Sequence, residues 1–115
     1  MFAGKEVRVF LKGQAKESFI ELKKREDKDA LRLINSIERV INILRDNPQF
    51  GDPIKKDLIP KHFKEPGFTN LYRVELTNYW RMLYTVTGNR VEIFVFVLNI
   101  IDHPTYDKIF GYRKR

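Results

Sequence analysis

Hydrophobic positions change their period several times along this chain, and each change marks an element. In residues 6–12 (Glu-Val-Arg-Val-Phe-Leu-Lys), Val7, Val9 and Leu11 alternate with polar or outward positions, which predicts a first strand. From residue 14 to about residue 25 the spacing becomes that of Ala15, Phe19 and Leu22, the stripe of a short amphipathic helix. Residues 23–29 are all charged and turn the chain. Asp29 is the expected N-cap of a second helix, since its carboxylate can accept from the free amides of the first turn. Ala30, Leu33, Ile34, Ile37, Val40, Ile41 and Leu44 form an unbroken i, i+3, i+4 stripe that Asn47-Pro48 ends. The two helices predict a hairpin laying one apolar face on a sheet.

Residues 48–70 are punctuated by Pro48, Pro53, Pro60 and Pro66 and by Gly51 and Gly67, so a long irregular connection is expected there. It carries Lys55, Lys56, Lys61 and Lys64. Three β-runs follow at residues 71–76, 80–86 and 91–101, separated by breaks short enough for antiparallel hairpins. The last run is apolar on both faces and should be an interior strand. Hairpin register follows from hydrophobic consistency, because a one-residue slip sends every side chain to the other face. A three-residue loop at 77–79 pairs Leu76 with Trp80, Val74 with Met82 and Tyr72 with Tyr84, keeping the apolar set against the helices. The opposite face then carries Arg73, Glu75 and Arg81, with Glu75 across from Arg81. The expected fold is α+β: an N-terminal strand and a helical hairpin on one face of a mainly antiparallel sheet of about four strands, in one domain, 1–115.

Composition narrows what such a domain does. The 115 residues include 22 Lys and Arg against 15 Asp and Glu, a formal charge of +7, with 43% hydrophobic and 13% aromatic content. That is ordinary globular composition and excludes a disordered tail. The absence of Cys excludes a disulfide scaffold and a thiolate metal site. The N-terminus has no apolar core of a secretory signal, and the longest apolar run is far short of the ~20 residues of a membrane helix, so a cytoplasmic protein is expected. Residues 1–46 hold 11 basic and 8 acidic side chains and mostly cancel, as a solvated helical face does. The closing Arg113, Lys114 and Arg115 have nothing to balance them. They read either as a solubilising tail or as nucleic-acid contacts.

Candidate chemistry centres on Arg73, Glu75 and Arg81. As a cross-strand ion pair with a flanking arginine, the trio is common and contributes roughly 0–1 kcal/mol. As a carboxylate held among guanidiniums on an otherwise open sheet, it suits phosphoryl transfer, with Arg neutralising a phosphate oxygen and Glu taking a hydroxyl proton. His103 stands at a strand end, where it can exchange a proton near neutral pH or simply pair with Asp102 or cap the following turn. His62 stands alone in the loop and reads as a solvated side chain. The two histidines are too few for a metal site, and no cofactor motif is present.

With these residues in place, the chain resembles the RelE/ParE superfamily of type II toxin–antitoxin modules. The stretch Leu-Tyr-Arg-Val-Glu-Leu, a turn, Trp-Arg-Met-Leu-Tyr-Thr-Val and then Val-Glu-Ile-Phe-Val-Phe-Val-Leu carries the likeness. The resemblance implies metal-independent cleavage of mRNA, associated with the ribosome, in a protein neutralised by a cognate antitoxin in a hetero-oligomer. It assigns phosphate stabilisation to Arg81 and the first basic strand position to Arg73. Glu75 falls where many members carry a second basic residue and others a general base. His103 becomes the general acid, and Tyr106 the aromatic that stacks on a base, with Tyr112 an equal candidate. Lys55, Lys56, Lys61, Lys64, Tyr112, Arg113, Lys114 and Arg115 are the implied RNA contacts. Two other readings stay open: a ParE-like inhibitor of gyrase without catalysis, and a non-catalytic module that binds RNA or an antitoxin.

Overall fold

A computed structural model describes residues 1–64 and 66–111. The chain forms β1 (Glu6–Leu11), α1 (Gly13–Lys24), α2 (Lys28–Asp46), β2 (Asp52–Pro53), α3 (Lys61–Lys64), β3 (Tyr72–Glu75), β4 (Trp80–Gly88), β5 (Glu92–Asp102) and α4 (His103–Phe110). Single 3-10 turns stand at Lys56–Leu58 and Thr77–Tyr79. The strands make one sheet in the order β1-β5-β4-β3-β2, with β1 parallel to β5 and the other pairings antiparallel. The fold is the expected α+β arrangement, with five strands instead of about four. The extra strand, β2, lies in the segment read as irregular: two residues suffice to pair Asp52 with Arg73 and Pro53 with Tyr72. No described helix is long and apolar enough to cross a membrane.

The helical hairpin packs as its stripes require. Ala15 and Leu22 of α1 and Ala30, Leu33, Ile37, Val40 and Leu44 of α2 are buried against Val74, Met82, Tyr84, Val95 and Val97 of the sheet. The cap of α2 differs from expectation. Asp27, not Asp29, accepts from the Ala30 amide at 3.2 Å, and the helix begins at Lys28. Arg25 selects it by donating to both Asp27 oxygens at 2.9 Å. That pairing, with the Ala30 amide, holds the Asp27 carboxyl down at about 2.

The hairpin of β3 and β4 takes the register that hydrophobic consistency selects: Tyr72 opposite Tyr84, Val74 opposite Met82 and Glu75 opposite Arg81. The Leu76 amide donates to the Trp80 carbonyl at 2.8 Å and closes the turn, where Asn78 and Tyr79 adopt positive φ of 58° and 61°. Tyr84 ties this hairpin to the start of the long connection. Its hydroxyl donates to the Pro48 carbonyl at 2.9 Å and accepts from the Gly51 amide at 2.8 Å, while its ring stacks on Tyr72. A Cβ at Gly51 would meet the Arg73 carbonyl and the Tyr84 ring and hydroxyl at 2.9 Å, which makes glycine necessary there.

The second face of the sheet departs from expectation, because it is not open. Ile59, Phe63, Leu71, Leu83, Ile101 and Tyr106 form a separate buried cluster there, roofed by the 54–71 connection and by α4. α4 occupies the segment after the last strand, for which no helix was expected. Asp102 caps it by accepting from the Thr105 amide at 3.0 Å, and Gly111 ends it in the left-handed conformation at φ 73°.

Candidate functional site

Arg73, Glu75 and Arg81 occupy one sheet face because residues two apart on a strand point the same way and the register aligns the two strands. Arg81 donates to Glu75 Oε1 at 3.1 Å, and the two differ sharply in exposure: the Arg81 side chain is 15% accessible and that of Glu75 66%. The arginine is seated in the protein while the carboxylate stands at the rim.

What seats the arginines is Tyr106. The Arg81 guanidinium carbon lies 4.3 Å from the centre of its ring, and Arg73 Nη1 donates to its hydroxyl at 3.1 Å. Phe110 stacks on the same tyrosine at 4.4 Å. Tyr106 is 1% exposed. It therefore offers no ring face to an incoming base, and the stacking role expected of it is corrected to that of a buried support for two cations. The cation–π contact with Arg81 is worth about 0.5–2 kcal/mol, toward the upper end when desolvated as here.

His103 is the first residue of α4, directly after Asp102, which pairs with Trp80 on β4 next to Arg81. Asp102 is occupied with its cap, which keeps its carboxyl below the usual range. The partner of His103 is Asp107 one turn on, 3.3 Å from Nδ1, an ion pair whenever the imidazole is protonated. Asp107 was not singled out in the sequence; its i, i+4 spacing from His103 becomes a signal only once the segment is known to be helical.

Lys55, Lys56, Lys61 and Lys64 are all exposed on the connection that roofs the second face. Lys56 and Lys64 line one shallow depression with Ile59 and Phe68. Tyr112, Arg113, Lys114 and Arg115 lie outside the described residues. His62 is exposed beside Phe63, on the short helix α3 and not in a loop. Among the described residues no group of three or more His, Cys, Asp or Glu side chains is placed to hold a metal ion.

One contributor escaped the sequence reading. Arg39 of α2 lines a depression of about 230 Å³ with Asp52, Arg73 and Glu75, and a second one with Arg32, Ser36, Glu75 and Thr77. Both open beside the outer edge of β3, where the two-residue β2 leaves Val74 and Glu75 without a neighbouring strand. Arg39 falls between Ile37 and Val40, off the apolar stripe, and nothing in its local pattern marks it as a neighbour of the trio.

The strand order and the helical hairpin make up a fold that is also found in a solved toxin structure. No family model matches the sequence, and no curated protein matches it. Among solved structures, the YoeB/ParE toxin from Agrobacterium tumefaciens superposes with a TM-score of 0.60 over 84% of this chain and 98% of that one. At 15% identity the likeness is one of fold.

Proposed function

We propose that this protein is the toxin of a toxin–antitoxin pair and that it cleaves mRNA without a metal, in association with the ribosome. The observation that carries the reading is the support of Arg73 and Arg81 by buried Tyr106, with Glu75 paired to Arg81 at the solvent rim. Two guanidiniums fixed before substrate arrives can stabilise charge that develops on a phosphate without reorganising.

In this mechanism Glu75 exchanges its ion pair for the proton of a ribose 2′-hydroxyl. The 2′-oxygen forms a bond to the adjacent phosphorus, the bond from phosphorus to the 5′-oxygen breaks, and His103 delivers the proton to that leaving oxygen. The products are a 2′,3′-cyclic phosphate and a 5′-hydroxyl. Arg81 meets the equatorial oxygens and Arg73 assists it; Asp107 orients the imidazole. Lys55, Lys56, Lys61 and Lys64 bind flanking phosphates and add salt dependence without sequence preference. The antitoxin covers this basic surface.

Cleavage of mRNA on translating ribosomes tests the proposal, comparing the wild type with Arg81→Ala and Glu75→Gln. Cuts made by the wild type and lost in both variants are expected. No cuts by the wild type, or equal cutting by all three, refutes the mechanism. The second reading is inhibition of gyrase by binding, without catalysis. A supercoiling assay with purified gyrase separates the two.

A further inference from the structure

Three phenylalanine rings stand together on the half of the second sheet face that neither α4 nor the long connection covers. Phe10 of β1 pairs with Phe96 of β5, and Phe94 lies two residues away on the same strand. Their ring centres are 5.7 Å apart for Phe10 and Phe96, and 6.3 Å for Phe94 with either ring; Phe94 and Phe96 are tilted only 11° from parallel. None of the three belongs to either buried cluster. Phe10 is 43% exposed and the other two are half-buried. Across the sheet, Phe94 and Phe96 pair with Thr87 and Thr85 of β4, which share a face with Arg81. The rings and the proposed cleavage residues therefore lie on the same side of the sheet, with the roofed cluster around Leu83 and Ile101 between them.

Charge and area together choose the occupant. Lys12, at the end of β1 nearer α4, holds its ammonium 4.5 Å over the Phe96 ring. At the far end Arg8 pairs with Glu92 and comes within 4.0 Å of Glu6, so one of the two acidic charges there is offset. The exposed part of three rings amounts to on the order of 100–200 Å², given the 150–250 Å² such a side chain can bury. A stable protein interface needs about 800 Å² per partner, so the patch is too small to hold a second copy of this chain. It matches the size and chemistry of nucleobases, which stack on aromatic rings that a sheet holds rigid.

We propose that Phe10, Phe94 and Phe96 form a stacking platform for single-stranded RNA flanking the cleaved bond, with Lys12 moving from Phe96 to a phosphate. The inference rests on the RNA-cleavage reading, and the test separates the two. A labelled single-stranded 2′-O-methyl RNA of mixed sequence, which lacks the attacking hydroxyl, is titrated at fixed salt against the full chain and its Phe10→Ala, Phe10→Leu and Phe10→Tyr variants. Phe10→Ala and Phe10→Leu should weaken binding roughly tenfold and Phe10→Tyr should preserve it, because stacking needs a π-face where mere packing does not. With cleavable mRNA, KM should rise for Ala and Leu while kcat stays unchanged.

No binding by the wild type, or a change under twofold in both non-aromatic variants, overturns the platform while leaving Arg81-dependent cleavage intact. A wild-type dimer on sedimentation that Phe10→Ala dissociates also overturns it, in favour of a second copy. Conversely, Phe10-dependent binding in a protein that makes no cuts sustains the platform and sinks the cleavage reading.

Discussion

Tyr106 is the residue on which the site most directly depends, and two substitutions separate its contributions. In Tyr106→Phe the ring stays beneath Arg81 and beside Phe110, and the acceptor for Arg73 is lost. A hydrogen bond to a charged group is worth about 1.5–3 kcal/mol. Arg73 is only partly buried and water can replace some of that, so the expected loss is about 1 kcal/mol. In Tyr106→Ala a fully buried ring is removed, which for large aromatic side chains costs about 3–5 kcal/mol. At roughly 4 °C per kcal/mol for a domain of this size, the thermal midpoint should fall about 4 °C for Phe and 12 °C or more for Ala. Circular dichroism melts measure both, and a cycle of Tyr106→Phe with Arg73→Ala should return a coupling near 1 kcal/mol. A tyrosine that instead served an incoming base would leave the melting temperature almost untouched in either variant. That result, or full cleavage activity in a folded Tyr106→Ala protein, would refute the supporting role.

Gly51→Ala drives a Cβ against the Arg73 carbonyl and the Tyr84 ring and should cost about 1–3 kcal/mol in chemical denaturation; a neutral result means the segment shifts freely. Tyr84→Phe leaves the Pro48 carbonyl and the Gly51 amide without their buried partner and should cost about 2 kcal/mol by the same assay. Burial raises the Tyr84 hydroxyl to about 12, so the stability it confers is complete below pH 10 and is lost as pH climbs toward 12. Absorbance at alkaline pH should show one tyrosine ionising last, and Tyr84→Phe should remove that step. Asp27 works in the opposite sense: its folded carboxyl is depressed to about 2, so its stabilisation is present above about pH 4 and drains away as pH falls toward 2. Asp27→Ser, which keeps a cap without a charge, should flatten the acid limb of stability against pH relative to the wild type.

The legible parts of the sequence are those where one local rule admits a single answer. Only one slip of the β3–β4 hairpin keeps Tyr72, Val74, Met82 and Tyr84 together, and that slip alone places Arg73, Glu75 and Arg81 on a common face. The stripe of α2 is equally unambiguous. What stayed hidden depends on contacts across the chain. Ile59 and Phe63 lie in a lysine-rich stretch without an apolar period, and they become core only when α4 and the sheet close around them. Asp27 and Asp29 are equivalent as caps until the Arg25 side chain picks one. The signals of α4 were in view, with Asp102 as cap, Pro104 in the first turn and Gly111 at the end. Eight residues carry too little periodicity to assert a helix, and its Tyr106, Ile109 and Phe110 face is recognisable only against the surface it covers.

The position of that surface traces to one irregularity in β5. Leu83 pairs with Asn99 and Tyr84 with Val97, which leaves Leu98 as an extra residue opposite β4. Strict alternation from Val95 and Val97 would send Asn99 and Ile101 to the helical face. The bulge reverses this: Ile100 joins the core beneath the helical hairpin, and Ile101 joins Leu83 and Tyr106 on the other side. Gln14 of α1 secures the exchange, its amide accepting from the Ile100 N–H at 2.8 Å and donating to the Ile100 carbonyl at 3.1 Å. An apolar residue is thereby set opposite Arg81, and α4 has a base on which to lay Tyr106 under the guanidinium. Gln14→Ala should therefore disturb more than one hydrogen-bonded edge. With the bulge free to migrate, Ile101 competes with Ile100 for the main core and the support of Arg81 loosens. Amide exchange should quicken at residues 99–101 and through α4, while α2 stays protected. Exchange confined to Ile100 alone would mean that the bulge is fixed by β4 and that Gln14 merely satisfies an edge.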